Sequence, residues 1–91
     1  MMLSENLLQQ IYDAVSNEPG IDTPELCLEI NHADIVDPDY RGETLASWLS
    51  EWHPEPWSLL CDHVDQLIET GYIVFTDNGN LYPVGYQGDV I

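Results

Sequence analysis

Positive charge is what this sequence has least of. Among its 91 residues Arg41 is the sole lysine or arginine, against 17 aspartates and glutamates, for a formal net charge of -16 with histidine neutral. Non-specific nucleic-acid affinity arises almost wholly from Lys and Arg side chains neutralising phosphates, so the chain lacks the contacts that a direct DNA or RNA binder needs. Long apolar runs are missing too. No stretch approaches the roughly 20 apolar residues of a membrane-spanning helix, and MMLSENLLQQ has neither the basic start nor the apolar centre of an export signal. Two cysteines, Cys27 and Cys61, with no Cys-x-x-Cys or His-x-x-x-His pair, point to small core residues and not to a disulfide framework or a zinc site. The expectation is a soluble chain in a reduced, cytoplasmic setting, with no membrane contact.

What remains is enough to fold. Apolar residues make up 44% of the chain and include three Trp and five Tyr, so high charge does not by itself imply disorder. The length suits one small core. Self-repulsion among the carboxylates lowers stability while it favours solubility and attraction to basic surfaces.

Ser4 is placed to cap a first helix on which Leu7, Leu8, Ile11, Ala14 and Val15 recur at helical spacing, until Asn17-Glu18-Pro19-Gly20 ends it. Thr23 is the predicted cap of a short second helix reaching about Ile30, with Pro24 and Glu25 in its first turn. Residues 31–42 read as an Asp-rich loop with Ile35 and Val36 tucked inward. ETLASWLSEW predicts a third helix through Leu45, Trp48, Leu49 and Trp52, stopped at His53-Pro54-Glu55-Pro56. From Trp57 a fourth helix turns Leu60, Val64, Leu67 and Ile68 inward and stops at Gly71. Two strands, Tyr72 to Phe75 and Leu81 to Val84, flank the turn Asp77-Asn78-Gly79-Asn80, and Pro83 implies an exposed edge. In the tail, Val90 and Ile91 are candidates to dock on the core.

A helix, a helix opened by Thr23-Pro24-Glu25-Leu26, a helix ending Leu67-Ile68-Glu69-Thr70-Gly71-Tyr72-Ile73 and a glycine-centred hairpin occupy residues 4 to 84. In this order the chain resembles the winged helix-turn-helix superfamily. The resemblance implies an α+β, mostly α fold: one winged-helix-like domain over residues 1–91 with three or four helices and a C-terminal two-stranded β-hairpin. Ile73 and Phe75 would then face the core. Residues 31–56 stand as an inserted loop and helix where the superfamily has a short turn; alternatively ETLASWLSEW belongs to the tri-helical core and TPELCLEI is the extra piece.

In DNA-binding members the solvent face of the last helix enters the major groove. Here that face carries Ser58, Asp62, Asp65, Gln66 and Glu69, and the turn adds Asp77, so carboxylates would meet phosphates. The reading that follows is a small acidic protein-binding domain, an inhibitor or regulator that occupies the basic nucleic-acid-binding site of a partner protein or complex. In size and charge the chain is similar to the acidic DNA-mimic inhibitors of phages and mobile elements, of the anti-restriction and anti-CRISPR types. Trp52 and Trp57, at the Pro-bounded corner, are candidate aromatic anchors beside Asp62, Asp65, Glu69 and Asp77; a homodimer through the same corner is a further arrangement. Two other classes fit parts of the pattern: a halophile's winged-helix transcription regulator, and a structural dimerisation or adaptor domain.

Chemistry finds little support. Asp37-Pro38-Asp39-Tyr40-Arg41-Gly42 starts like a calcium loop but has Arg41 and Trp48 where oxygen ligands are required; a turn in which Arg41 pairs with an acid is preferred. Cys61 and His63 lie two apart on a helix and point to different faces, so they do not make a Cys-His nucleophile, and His63 is placed at the surface or boundary. No catalytic residues, metal ligands or cofactor are expected, and the chain is not read as an enzyme.

Overall fold

The computed structural model describes residues 3–36, 38–41 and 43–86. Helices α1 (Glu5–Asn17), α2 (Thr23–Ile30), α3 (Glu43–Trp52) and α4 (Pro54–Glu69) combine with strands β1 (Ile21–Asp22), β2 (Ile73–Phe75) and β3 (Asn80–Pro83) in the order α1-β1-α2-α3-α4-β2-β3. The class is α+β and mostly helical. The tail positions Val90 and Ile91 lie outside the described residues.

Ser4 begins α1 as its spacing suggests, its Oγ accepting from Leu7 N–H at 3.3 Å. The helix buries Ile11, Ala14 and Val15. At its end Gly20 takes a φ of +95°, and any Cβ there would lie 3.3 Å from the Tyr82 hydroxyl.

The sheet corrects the expected two-stranded hairpin. It has three antiparallel strands in the order β1-β3-β2, with Ile21 opposite Leu81 and Asp22 opposite Asn80. A two-residue strand has no period to read, and its placement is fixed from outside. Gly20 N–H donates to Leu81 O at 2.7 Å, and Asn80 Nδ2 donates to Gly20 O at 2.6 Å. Pro83 therefore lies on the central strand, not on an exposed edge strand. It is accommodated because β1 pairs only with Asn80 and Leu81. On the β2 side, bonds from Thr76 N–H to Asn80 O and from Val84 N–H to Tyr72 O leave Pro83, opposite Ile73, at a position that needs no donor.

Asp22, not Thr23, caps α2: its carboxylate accepts from Glu25 N–H at 2.9 Å, which moves Thr23 and Pro24 into the first turn. In the following loop Ile35 is buried as expected, whereas Val36 is 86% exposed. The helix α4 starts at Pro54, three residues before the expected Trp57. Prolines are tolerated there because the first helical N–H groups have no intrahelical acceptor. A single residue separates α3 from α4. His53 N–H closes α3 on Leu49 O at 2.8 Å, and His53 O accepts from Trp57 N–H at 3.1 Å.

One core joins all four helices and the sheet, with Ile11, Leu26, Leu45, Leu49, Leu60, Ile73 and Leu81 almost wholly removed from water. The loop and helix between residues 31 and 56 supply Ile35, Leu45 and Leu49 to it, so this segment is built into the core and is not laid over it.

Candidate protein-interaction face

Helix α4 owes its orientation to Leu60, Val64 and Leu67, which are buried, with Ile68 partly so. Its end is a Schellman arrangement. Tyr72 N–H reaches back to Leu67 O at 2.9 Å and Gly71 N–H to Ile68 O at 3.2 Å, with Gly71 at a φ of +83° that a side chain would disfavour. This fixes both the helix and the direction in which β2 leaves it.

With those residues inward, Asp65 and Glu69 are exposed and Asp62 is half-buried. They follow one another by three and four residues, a stripe about 10 Å long at 1.5 Å per residue. The sequence's single guanidinium lies elsewhere. Arg41 Nε is 3.5 Å from Glu25 Oε1, and Arg41 also donates to the carbonyls of Pro38 and Tyr40.

The two candidate tryptophans part company. Trp57 packs against the core, while Trp52, on the last turn of α3, stands 66% exposed. Phe75 departs from expectation: it is 54% exposed. Although it shares the core-facing side of the sheet with Ile73 and Leu81, it is the last residue of β2, at the turn end of the hairpin. There it forms one wall of a groove of about 280 Å³ whose other walls are Trp57, Cys61, Val64 and Ile68 of α4, with Thr23 and Asp65 at the rim. Asp65, the middle residue of the acidic stripe, and one of the two aromatic candidates thus meet at a single groove. Asp77 lies exposed on the turn, and Trp52 does not line the groove. Phe75 is the groove residue that the sequence did not reveal: its alternation with Ile73 marks it as core-facing, and its exposure follows from its place at the turn end of the sheet.

Neither thiol is poised to react. Burial pushes Cys27 up to about 11, helped by neighbouring Cys61 and opposed by a contact from Asn31. Cys61 is raised by burial, then by the charges of Asp65 and Asp62. His63 is not a boundary residue: it is fully buried in α4. Its Nδ1 lies 2.7 Å from Leu59 O and its Nε2 accepts from Ser4 N–H at 2.9 Å. A carbonyl can only accept, so Nδ1 carries the hydrogen and Nε2 offers its lone pair, which ties the start of α1 to α4.

A second hollow, of about 440 Å³, is bordered by Glu18, Glu25, Glu29, His32 and Arg41. Glu29 titrates above the usual carboxylate range because of partial burial, the charge of Glu18 and a hydrogen bond with it, against a lowering influence from His32. Among the described residues no group of His, Cys, Asp and Glu is arranged to hold a metal ion, and no helix is long and apolar enough to cross a membrane. Of the calcium-like loop, Asp37 and Gly42 lie outside the described residues. No protein-family model, curated protein or solved structure matches the chain.

Proposed function

We propose that this chain is a protein-binding domain whose acidic α4 face occupies the basic nucleic-acid-binding site of a partner, in the manner of a DNA-mimic inhibitor. The observation that carries the reading is that Asp62, Asp65 and Glu69 all lie on the outward side of α4, with the chain's one arginine engaged at Glu25. Dimensions support it. The described residues measure 35 × 30 × 21 Å. Duplex DNA bears one charge per roughly 1.7 Å of axis, on the order of 20 over that longest dimension, which is comparable with the chain's net -16. Paired with a groove made for nucleic acid, such a surface gains affinity by the same electrostatics and loses it as salt screens the charges.

The test is competition. Titrated into a complex of duplex DNA with a basic nucleic-acid-binding protein, the chain displaces the DNA at low salt, and the displacement fades as salt rises. The double variant Asp62→Lys, Asp65→Lys weakens the competition at least about tenfold. Equal potency of the variant, or retention of duplex DNA by the chain itself in a gel-shift at molar salt, would overturn the reading, the second outcome in favour of a DNA-binding regulator.

A further inference from the structure

The groove between α4 and β2 is of a size and lining that narrow its occupant. At about 280 Å³ it falls just below the roughly 300–1,000 Å³ of small-molecule sites, so it suits one side chain of a macromolecule better than a free ligand. Its walls are the Trp57 and Phe75 rings, the Val64 and Ile68 side chains and the thiol of Cys61. That wall is neutral, because burial and the nearby Asp65 and Asp62 carboxylates keep the thiol protonated. Phe75, 54% exposed, offers apolar surface that a seated side chain would cover. Only one bank is charged: Asp65 stands at the rim, with Asp62 and Glu69 one turn to either side.

That asymmetry selects the occupant. A neutral segment laid over the groove would draw water away from the carboxylates without giving them partners, which is costly. A second copy of the chain brings Arg41 as its only Lys or Arg, and that residue is held against Glu25. We infer that the groove takes one apolar side chain from a basic segment of the partner protein, seated between Trp57, Ile68 and Phe75, while Lys or Arg residues flanking it pair with Asp62, Asp65 and Glu69. The stripe's length of about 10 Å matches cations two turns apart on a helix, or about three residues apart on an extended strand. The inference rests on the acidic-mimic reading and adds to it a specificity that charge alone does not provide: an apolar anchor in a pocket with a charged rim.

The experiment uses the full chain and two synthetic peptides that differ at one position, an arginine-rich nonamer with a central Leu and the same nonamer with a central Ser. Affinities come from calorimetry at low salt, and the contacts from amide shift changes. The Leu peptide should bind at least about tenfold more tightly and shift Val64, Ile68 and Phe75; burial of one Leu side chain is of that order. Because Phe75 is more than half exposed, Phe75→Ala leaves the core intact, which its melting temperature verifies, and it should bring the Leu peptide down to the Ser peptide's affinity. Asp65→Asn should weaken both peptides alike. Equal affinity of the two peptides for the native chain would overturn the anchor groove and leave the acidic reading standing. Failure of both peptides to bind at low salt would overturn both readings.

Discussion

Before Thr70 the chain puts carboxylates on the outer side of every helix; from Thr70 to Tyr86 it has Asp77 alone and exposes Tyr72, Val74, Phe75 and Val84 instead. The difference follows from geometry. A helix with an inward stripe leaves a separate outward face, where acids stay in water while Leu60 or Ile11 is buried. Each of the four helices also has an acid in its first turn, Glu5, Glu25, Glu43 and Glu55, where the helix dipole favours negative charge, and none has a base in its last turn. The strands of three and four residues leave few outward positions, of which Val74 occupies one without charge, and a two-stranded hairpin alone is marginally stable in water. The hairpin therefore depends on packing, through Ile73 and Leu81 and the added strand β1, and the helices take up the self-repulsion. The candidate groove lies where the two regimes meet, acids on the α4 bank and Phe75 on the sheet bank.

The strongest way to break this comparison is to remove the hairpin's packing. Leu81→Ala, in the fully buried centre of the sheet, should lower stability by about 3 kcal/mol. Urea unfolding followed by circular dichroism and by tryptophan fluorescence should show one coincident transition at a lower midpoint; helices that persist after the sheet is lost would separate the two regions. Next is the tie inside the helical body. His63→Phe keeps bulk but removes the acceptor for Ser4 N–H and the donor to Leu59 O, for an expected loss of about 2 kcal/mol. Hydrogen exchange at Ser4 and Leu7 should quicken more than exchange in the sheet.

A smaller effect sharpens the boundary at β1. Asp22→Ala should cost about 1 kcal/mol by uncapping α2, while Thr23→Ala should cost little, as read from thermal melts of the two variants. The smallest concerns the crowding of acids. Glu29 takes up its proton more readily in the folded chain than is usual for a carboxyl, so the associated stability is full below the ordinary carboxylate range and is lost as pH rises through the raised value. Glu29→Gln should flatten that slope and raise neutral-pH stability by no more than about 0.5 kcal/mol, because the pair is solvated. Melting temperatures of both proteins across mildly acid to neutral pH check the sign.

The long elements were legible because their signals repeat. Leu7, Ile11, Ala14 and Val15, or Leu60, Val64 and Leu67, mark a helix several times over, and Gly71 marks its end. The errors came where a signal occurs once. Asp22 and Thr23 are adjacent and both competent to cap, and Pro24 fits the first or second helical position equally. Local sequence cannot rank them; β1 pairing, which places Asp22 in extended backbone, does. The same pairing hid the third strand. His63 fell three residues after Leu60 on the inward stripe, but its polarity outweighed its position, since the partner that satisfies it is Ser4 N–H, 59 residues away. Of the candidate face, Asp62, Asp65 and Glu69 followed from helical phase alone. That Trp57 and Phe75 share a groove did not, because it depends on how far the sheet extends past α4.

Asp22 belongs at once to the ladder with Asn80 and to the first turn of α2. Leverage applied at the tip of the turn therefore reaches α2 through its capping residue, and the hairpin cannot swing outward on that side without loosening the start of α2. A bound segment pressing on Phe75 would meet a braced wall instead of a hinged flap.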